Sequence, residues 1–225
     1  MNSSFIAPYI SLILILIIYY YFFYSNSVSQ RGLLLLAVVI LQTLVTIYFD
    51  YPCAQTSAYS ILPTIVFPWI ILFGGMLYFV DENMKSPFAN VFGYWYVKTF
   101  KNAESLVRSI INGDDMDVKS LELIRKIYGN PSHLINNFTP SNFNDMWKTL
   151  VPLMKTENKA EKDNLLHIVH TKDMIAEAFW VLYTGLLITA YSQYEISNIN
   201  CKLTPAQQNA NMKEYQEMYP KTPSL

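Results

Sequence analysis

Charge is scarce in this chain. Asp, Glu, Lys and Arg make up 15% of its 225 residues, against about a quarter in ordinary soluble domains. Sixteen Lys+Arg nearly cancel seventeen Asp+Glu, for a formal net charge of -1, so no overall basic field exists to grip nucleic acid and no acidic tail is present. Two cysteines are too few for a disulfide framework or a tetrahedral thiolate site. Seven glycines leave little material for phosphate-cradling loops, and no GxSxG, HExxH, Walker or dinucleotide signature occurs. What the chain has in excess is apolar residues, 52% of the total, and their placement decides its class.

Phe5 to Tyr24 runs without a charge. As a helix it is about 30 Å long, the thickness of a bilayer's hydrocarbon core. A cleaved secretory signal fits poorly, because no Lys or Arg precedes the run and its length exceeds the usual apolar region. Gly32 to Phe49 and Leu62 to Val80 are further uncharged runs, joined through Asp50, Tyr51, Pro52 and Cys53. Met174 to Tyr191 holds one ionisable residue, Glu177, near enough to the start of the run to reach the interface or a partner. The expectation is an all-α integral membrane protein with four crossings. Residues 1–80 form a three-helix membrane region, 81–173 a helical extramembrane insert, 174–191 the fourth crossing and 192–225 a polar tail, extended or ordered by a partner.

Four crossings place Arg31 and the insert on one side of the membrane. That side carries Arg31 and twelve further Lys/Arg, and the other carries Lys202, Lys213 and Lys221. The imbalance makes the insert side cytoplasmic at insertion, with the weight on Arg31, Lys85 and Lys172, which flank helix ends. Tyr19 to Tyr24, and Tyr78, Phe79, Tyr94, Trp95 and Tyr96, suit a headgroup-level aromatic belt, with a sterol or lipid site as the sharper alternative.

Within the insert the apolar spacing is helical. Leu106, Val107, Ile110 and Ile111 share one face, and Asp117 to Tyr128 carries a second helix before Gly129 and Pro131. Ser141 opens a third, with Phe143, Met146, Trp147, Leu150 and Met154 aligned and Pro152 bending its end. A fourth starts near Glu157 and runs toward the last crossing. The tail admits one short helix around Pro205 to Met218.

His167 and His170 lack the further ligands that zinc requires. Asp114, Asp115 and Asp117 miss the spacing and terminal Glu of a calcium loop. Neither metal, cofactor nor catalytic apparatus is expected. Gln42 and Glu177 are the intramembrane polar residues, suited to joining helices, while Gly74, Gly75 and Gly185 allow close packing. Transport or conduction is the alternative function these groups leave open. Cys53 and Cys201 fall on the same side of the membrane, opposite the insert, and form either one disulfide or two free thiols.

After the third run comes KSPFANVFGYWYV, Lys85 to Val97. Pro87 here is expected to stop a helix and Gly93 to break the aromatic run, giving an interfacial elbow. Phe88, Phe92, Tyr94 and Trp95 reach the headgroups, and Asn90 bonds the turning backbone. The elbow, the order of membrane helices and the helical insert resemble multi-pass virion membrane proteins of the nucleocytoplasmic large DNA viruses, in their algal and mimivirus-like branches. The resemblance implies a structural, non-enzymatic minor capsid or membrane protein that tethers the internal membrane to the capsid. Its partners would be the lipid bilayer and other capsid or virion membrane proteins, not nucleic acid; oligomeric state stays open.

Overall fold

The computed structural model describes residues 3–24, 27–49, 63–111, 125, 127, 129–153, 159–197 and 205–218. The described residues are helical and contain no strand. In chain order the helices are α1 (Ser3–Ile18), α2 (Val28–Phe49), α3 (Pro63–Tyr78), α4 (Glu82–Lys101), α5 (Ala103–Ile110), α6 (Ser132–Asn137), α7 (Phe143–Leu150), α8 (Lys159–Ser197) and α9 (Pro205–Met218). Two compact units emerge, Met1–Tyr78 with Thr184–Leu225, and Phe79–Tyr183. The division falls inside α8, because the expected fourth insert helix and the last apolar run are one continuous 39-residue helix.

In the first unit, α1 buries Pro8, Leu12, Leu16 and Tyr19, and α2 buries Leu34, Val38, Gln42 and Thr46. Spacing by four on α2 gives a narrow contact stripe. Around it Ile10, Leu14, Ile17, Leu33, Leu36 and Leu44 are all more than half exposed. A helix in water places polar residues there, so these faces call for an apolar solvent. Gln42 Nε2 donates across to the Pro8 carbonyl at 3.1 Å and to Ser11 Oγ at 3.2 Å. Trp69, Phe73 and Leu77 of α3 are buried. A Cβ on Gly185 of α8 would meet Leu12 at 2.9 Å and Phe73 at 3.5 Å, so this glycine lets three helices converge.

Three described helices are long and apolar enough to cross a membrane: Ile6–Phe23, Ser29–Tyr48 and Lys159–Ile196. This is compatible with a membrane protein. Helix α3 is about 24 Å long at 1.5 Å per residue, short of the hydrocarbon thickness. It reaches spanning length only if counted together with α4, so length supports three of the four expected crossings. In α3 the five-residue turn Trp69–Phe73 is widened to π geometry immediately after Pro68. A proline removes one helical N–H and crowds the carbonyl four residues back, which a wider turn relieves.

The second unit has a core of Val97, Ala103, Val107, Ile110, Ile135, Phe138, Phe143, Trp147, Leu150, Leu165 and Val169. The apolar faces expected on α5 and α7 supply much of it. Pro152 falls in a tight turn, Val151–Leu153, that ends α7. Helix α7 is preceded by Asn142, not Ser141; Ser141 instead donates through its hydroxyl to Glu82 Oε2 at 2.7 Å. The tail helix forms at Pro205–Met218 as its sequence suggests. Most of the expected second insert helix, and Cys53 and Cys201 with their disulfide alternative, lie outside the described residues.

Candidate functional site

The densest arrangement of charged and aromatic side chains is the seam between α4 and α8 in the second unit. Helix α4 starts where Asp81, in extended conformation, accepts a 2.7 Å hydrogen bond from the Met84 N–H, satisfying a donor the first turn would leave bare. From there Lys85, Ala89, Gly93 and Val97 are buried at intervals of four. The small residues in the middle of this stripe set the helix separation. A Cβ at Gly93 would lie 2.5 Å from the Lys172 carbonyl oxygen and 2.9 Å from Lys172 Cγ, so α8 backbone occupies the space a side chain would need.

The expected helix stop at Pro87 is corrected here. Helix α4 continues through Pro87 and widens into a π turn at Ala89–Gly93. The missing proline N–H would have addressed the Asn83 carbonyl in the first turn, and the wide turn just beyond takes up the crowding. Gly93 serves close approach instead of breaking the run. Asn90 donates to Ser86 Oγ at a long 3.4 Å and makes no turn with the backbone.

At one end of the seam Lys85 Nζ lies 2.7 Å from Asp173 Oδ2 and 3.6 Å from Glu177 Oε2. Asp173 and Glu177 are one helical turn apart on α8, so a single ammonium bridges both and offsets one of their two charges. Glu177 is 1% exposed, and an unpaired carboxylate there would be costly. Aromatic rings continue the contact. Phe92 stacks on Phe179 with centroids 4.1 Å apart, and Phe88 meets Trp180 edge-to-face at 5.8 Å and Tyr183 at 6.2 Å. The elbow aromatics Phe88 and Phe92 thus pack on α8, whereas Trp95 is exposed and pairs edge-to-face with Phe100. Tyr94 donates to Glu104 Oε1. Burial and this carboxylate push the Tyr94 hydroxyl up to about 12, and the same hydrogen bond, with Lys98, lowers Glu104.

Next to Asp173, Lys172 turns toward α6. Its Nζ donates to the carbonyls of Ile135 at 2.8 Å, Phe138 at 2.8 Å and Asn136 at 3.3 Å. These oxygens close the C-terminus of α6, where helix carbonyls lack partners and the dipole favours a cation. Lys172 is only 2% exposed. Burial pulls it down to about 8, opposed by Asp173 and Glu82, so at neutral pH it is still an ammonium with three donors.

The structure therefore gathers Phe88, Phe92, Gly93 and Glu177 along one seam, leaves Pro87 and Asn90 exposed on α4, and puts Gln42 in the other unit. Sequence reading missed Lys85 and Lys172 as structural cations. The only signal was their position beside helix ends. His167 and His170 are exposed on α8, and among the described residues no group of three His, Cys, Asp or Glu could hold a metal ion. Chemically the seam is a set of satisfied charges and stacked rings that fixes one helix on another. No protein family model matches this chain, and neither a curated protein nor a solved structure matches it.

Proposed function

We propose that this chain is a four-crossing structural membrane protein, whose second unit and tail make the protein contacts that tether a membrane to a shell. The setting its sequence resemblance implies is the internal membrane of a large DNA virus beneath the capsid. The observation that carries the reading is the use of charge along α8. Lys85 bridges Asp173 and Glu177, and Lys172 is consumed by α6 carbonyls. Charges that line a transport path exchange partners with a solute, whereas these fasten a globular unit onto a membrane helix. A tether transmits force through that junction and benefits from its rigidity. In this reading α3 crosses as the third span, its shortfall in length met by local thinning or the flanking aromatic residues.

The test is chemical cross-linking in intact particles. Contacts from residues 81–173 or 192–225 to capsid proteins, with the chain present at many-copy stoichiometry, are expected; their complete absence would end the tether reading. A small transporter is the second reading. It draws on the buried polar residues Thr184, Thr189, Ser192 and Gln193 that continue along α8. Ion or solute flux in liposomes that Glu177→Gln abolishes would favour it.

A further inference from the structure

A cleft of about 400 Å³, lined by polar and apolar side chains alike, opens in the second unit between the end of α4, α5 and α8, with Leu106 and Ile168 as its apolar part. Lys101, Asn102, Ser105, Asn164 and His167 line it, above a floor that includes Thr171. Among the described residues no carboxylate lines it. Glu104, the acid on the same first turn of α5, is engaged by Tyr94 and Lys98. Among the described residues Lys101 has no carboxylate partner, and the side chains of Ser105, Asn102 and Asn164 have no hydrogen bond. At His167, Thr171 Oγ1 donates to the His167 carbonyl at 2.8 Å and lies 3.2 Å from Nδ1. With the hydroxyl proton committed, Nδ1 carries a hydrogen toward Thr171, and Nε2 is the ring nitrogen left over. The cleft is thus a concave site with one fixed cation, Lys101, donors from Ser105, Asn102 and Asn164, and the His167 ring at its wall.

Its height along α8 matters. Counting back from Met174, where the apolar run begins, Thr171 is about 5 Å and His167 about 10 Å outside the hydrocarbon edge. Headgroups occupy about 5–8 Å on each side of a bilayer, so Thr171 lies within that layer and His167 just beyond its outer edge. On the α4 stretch that leads to Lys101, the exposed Trp95 and Phe100 are of the kind that settles in the headgroup layer. We propose that this cleft binds a phosphate group, presented by the headgroup of an anionic phospholipid. The inference rests on the membrane reading of α8 but not on the tether, which a failed lipid test would leave standing.

The full chain in neutral detergent, mixed with phosphatidylglycerol and phosphatidylcholine, is examined by native mass spectrometry. One phosphatidylglycerol is expected to stay bound in preference to phosphatidylcholine. Replacing Lys101 and His167 together by Gln should weaken retention at least about fivefold, at roughly 1 kcal/mol for the Lys101 charge near a membrane surface. Lys213→Gln, on α9, should leave it unchanged. All three side chains are exposed, so the variants should melt like the parent. Asn164→Leu removes a donor at constant charge and should also weaken binding. Displacement of the lipid by millimolar inorganic phosphate would support the site and assign recognition to phosphate alone; resistance to displacement would support it with the lipid as its source. Equal retention by the Lys101/His167 double variant, wild-type retention by Asn164→Leu, or no preference for phosphatidylglycerol would overturn the proposal.

Discussion

Replacing Gly93 by Ala tests the α4–α8 seam through the sign of its effect. Gly93 has ordinary helical dihedrals, φ -61° and ψ -49°, so in open space alanine should stabilise the helix by up to about 1 kcal/mol. The seam reverses this, because the new methyl would sit 2.5 Å from the Lys172 carbonyl oxygen and 3.3 Å from its carbonyl carbon. Those atoms belong to the α8 backbone and cannot swing aside as a side-chain tip can. Overpacking of this kind costs about 1–3 kcal/mol, and the rigid neighbour argues for the upper half of that range. At 4–8 °C per kcal/mol for a unit of about this size, the second unit should melt roughly 10 °C lower. Gly75→Ala is the control, since nothing lies within 4 Å of its Cβ position; it should be neutral or stabilising. Thermal unfolding of the full chain in detergent, followed by tryptophan fluorescence, reads both. Lys172→Ala should not rescue Gly93→Ala, because the clash with the carbonyl remains. If Gly93→Ala melts at or above the parent temperature, the close approach of α4 and α8 is wrong.

Lys85→Met removes the cation shared by Asp173 and Glu177 and should cost about 3–5 kcal/mol, measurable by the same melt, whereas Glu177→Gln, which leaves the 2.7 Å Asp173 contact intact, should cost clearly less. Lys172 makes stability depend on alkaline pH. Burial lowers its folded-state value to about 8 from 10.5, so between those values the unfolded chain holds more protons and stability rises with pH. The gain is of order 3 kcal/mol across that window and absent below it; Lys172→Met should abolish the slope while destabilising the unit at pH 7 by leaving the α6 carbonyls bare. Gln42→Leu breaks a link between α1 and α2 and should cost about 1 kcal/mol or less, the range for such bonds in membranes, read as lowered resistance of the first unit to denaturing detergent.

Which parts of this architecture can be read from sequence follows from how local their causes are. Helices α1 and α2 are written in uncharged runs that no soluble helix tolerates, and α9 in a polar stretch opened by Pro205 and closed before Pro220. Val107 and Ile110, like Phe143, Trp147 and Leu150, declare their buried faces by spacing. Pro87 misleads because the usual consequence of proline is local, whereas here the π turn and the packing of Gly93 on α8 hold the helix together across it. Helix α6 is hidden for a related reason, since Pro131 reads as a terminator of what precedes and in fact stands immediately before Ser132–Asn137. The seam itself is not legible. Lys85 meets Asp173 across 88 positions, and Lys172 is held by backbone carbonyls 34 to 37 positions away, so its partners carry no side-chain signature. Glu177 announces itself as an isolated charge in an apolar run, but not its counter-ion.

The most direct measurement is sidedness. In a chain with Cys53 and Cys201 replaced by serine, single cysteines at the exposed positions Ser29, Asn144 and Asn209 are labelled with a membrane-impermeant maleimide on sealed vesicles. Four crossings predict that Ser29 and Asn144 react from the same side and Asn209 from the other. Labelling of Ser29 and Asn144 from opposite sides would mean that α3 does not cross, and release of the chain by alkaline carbonate would mean that no helix does; either result contradicts the account.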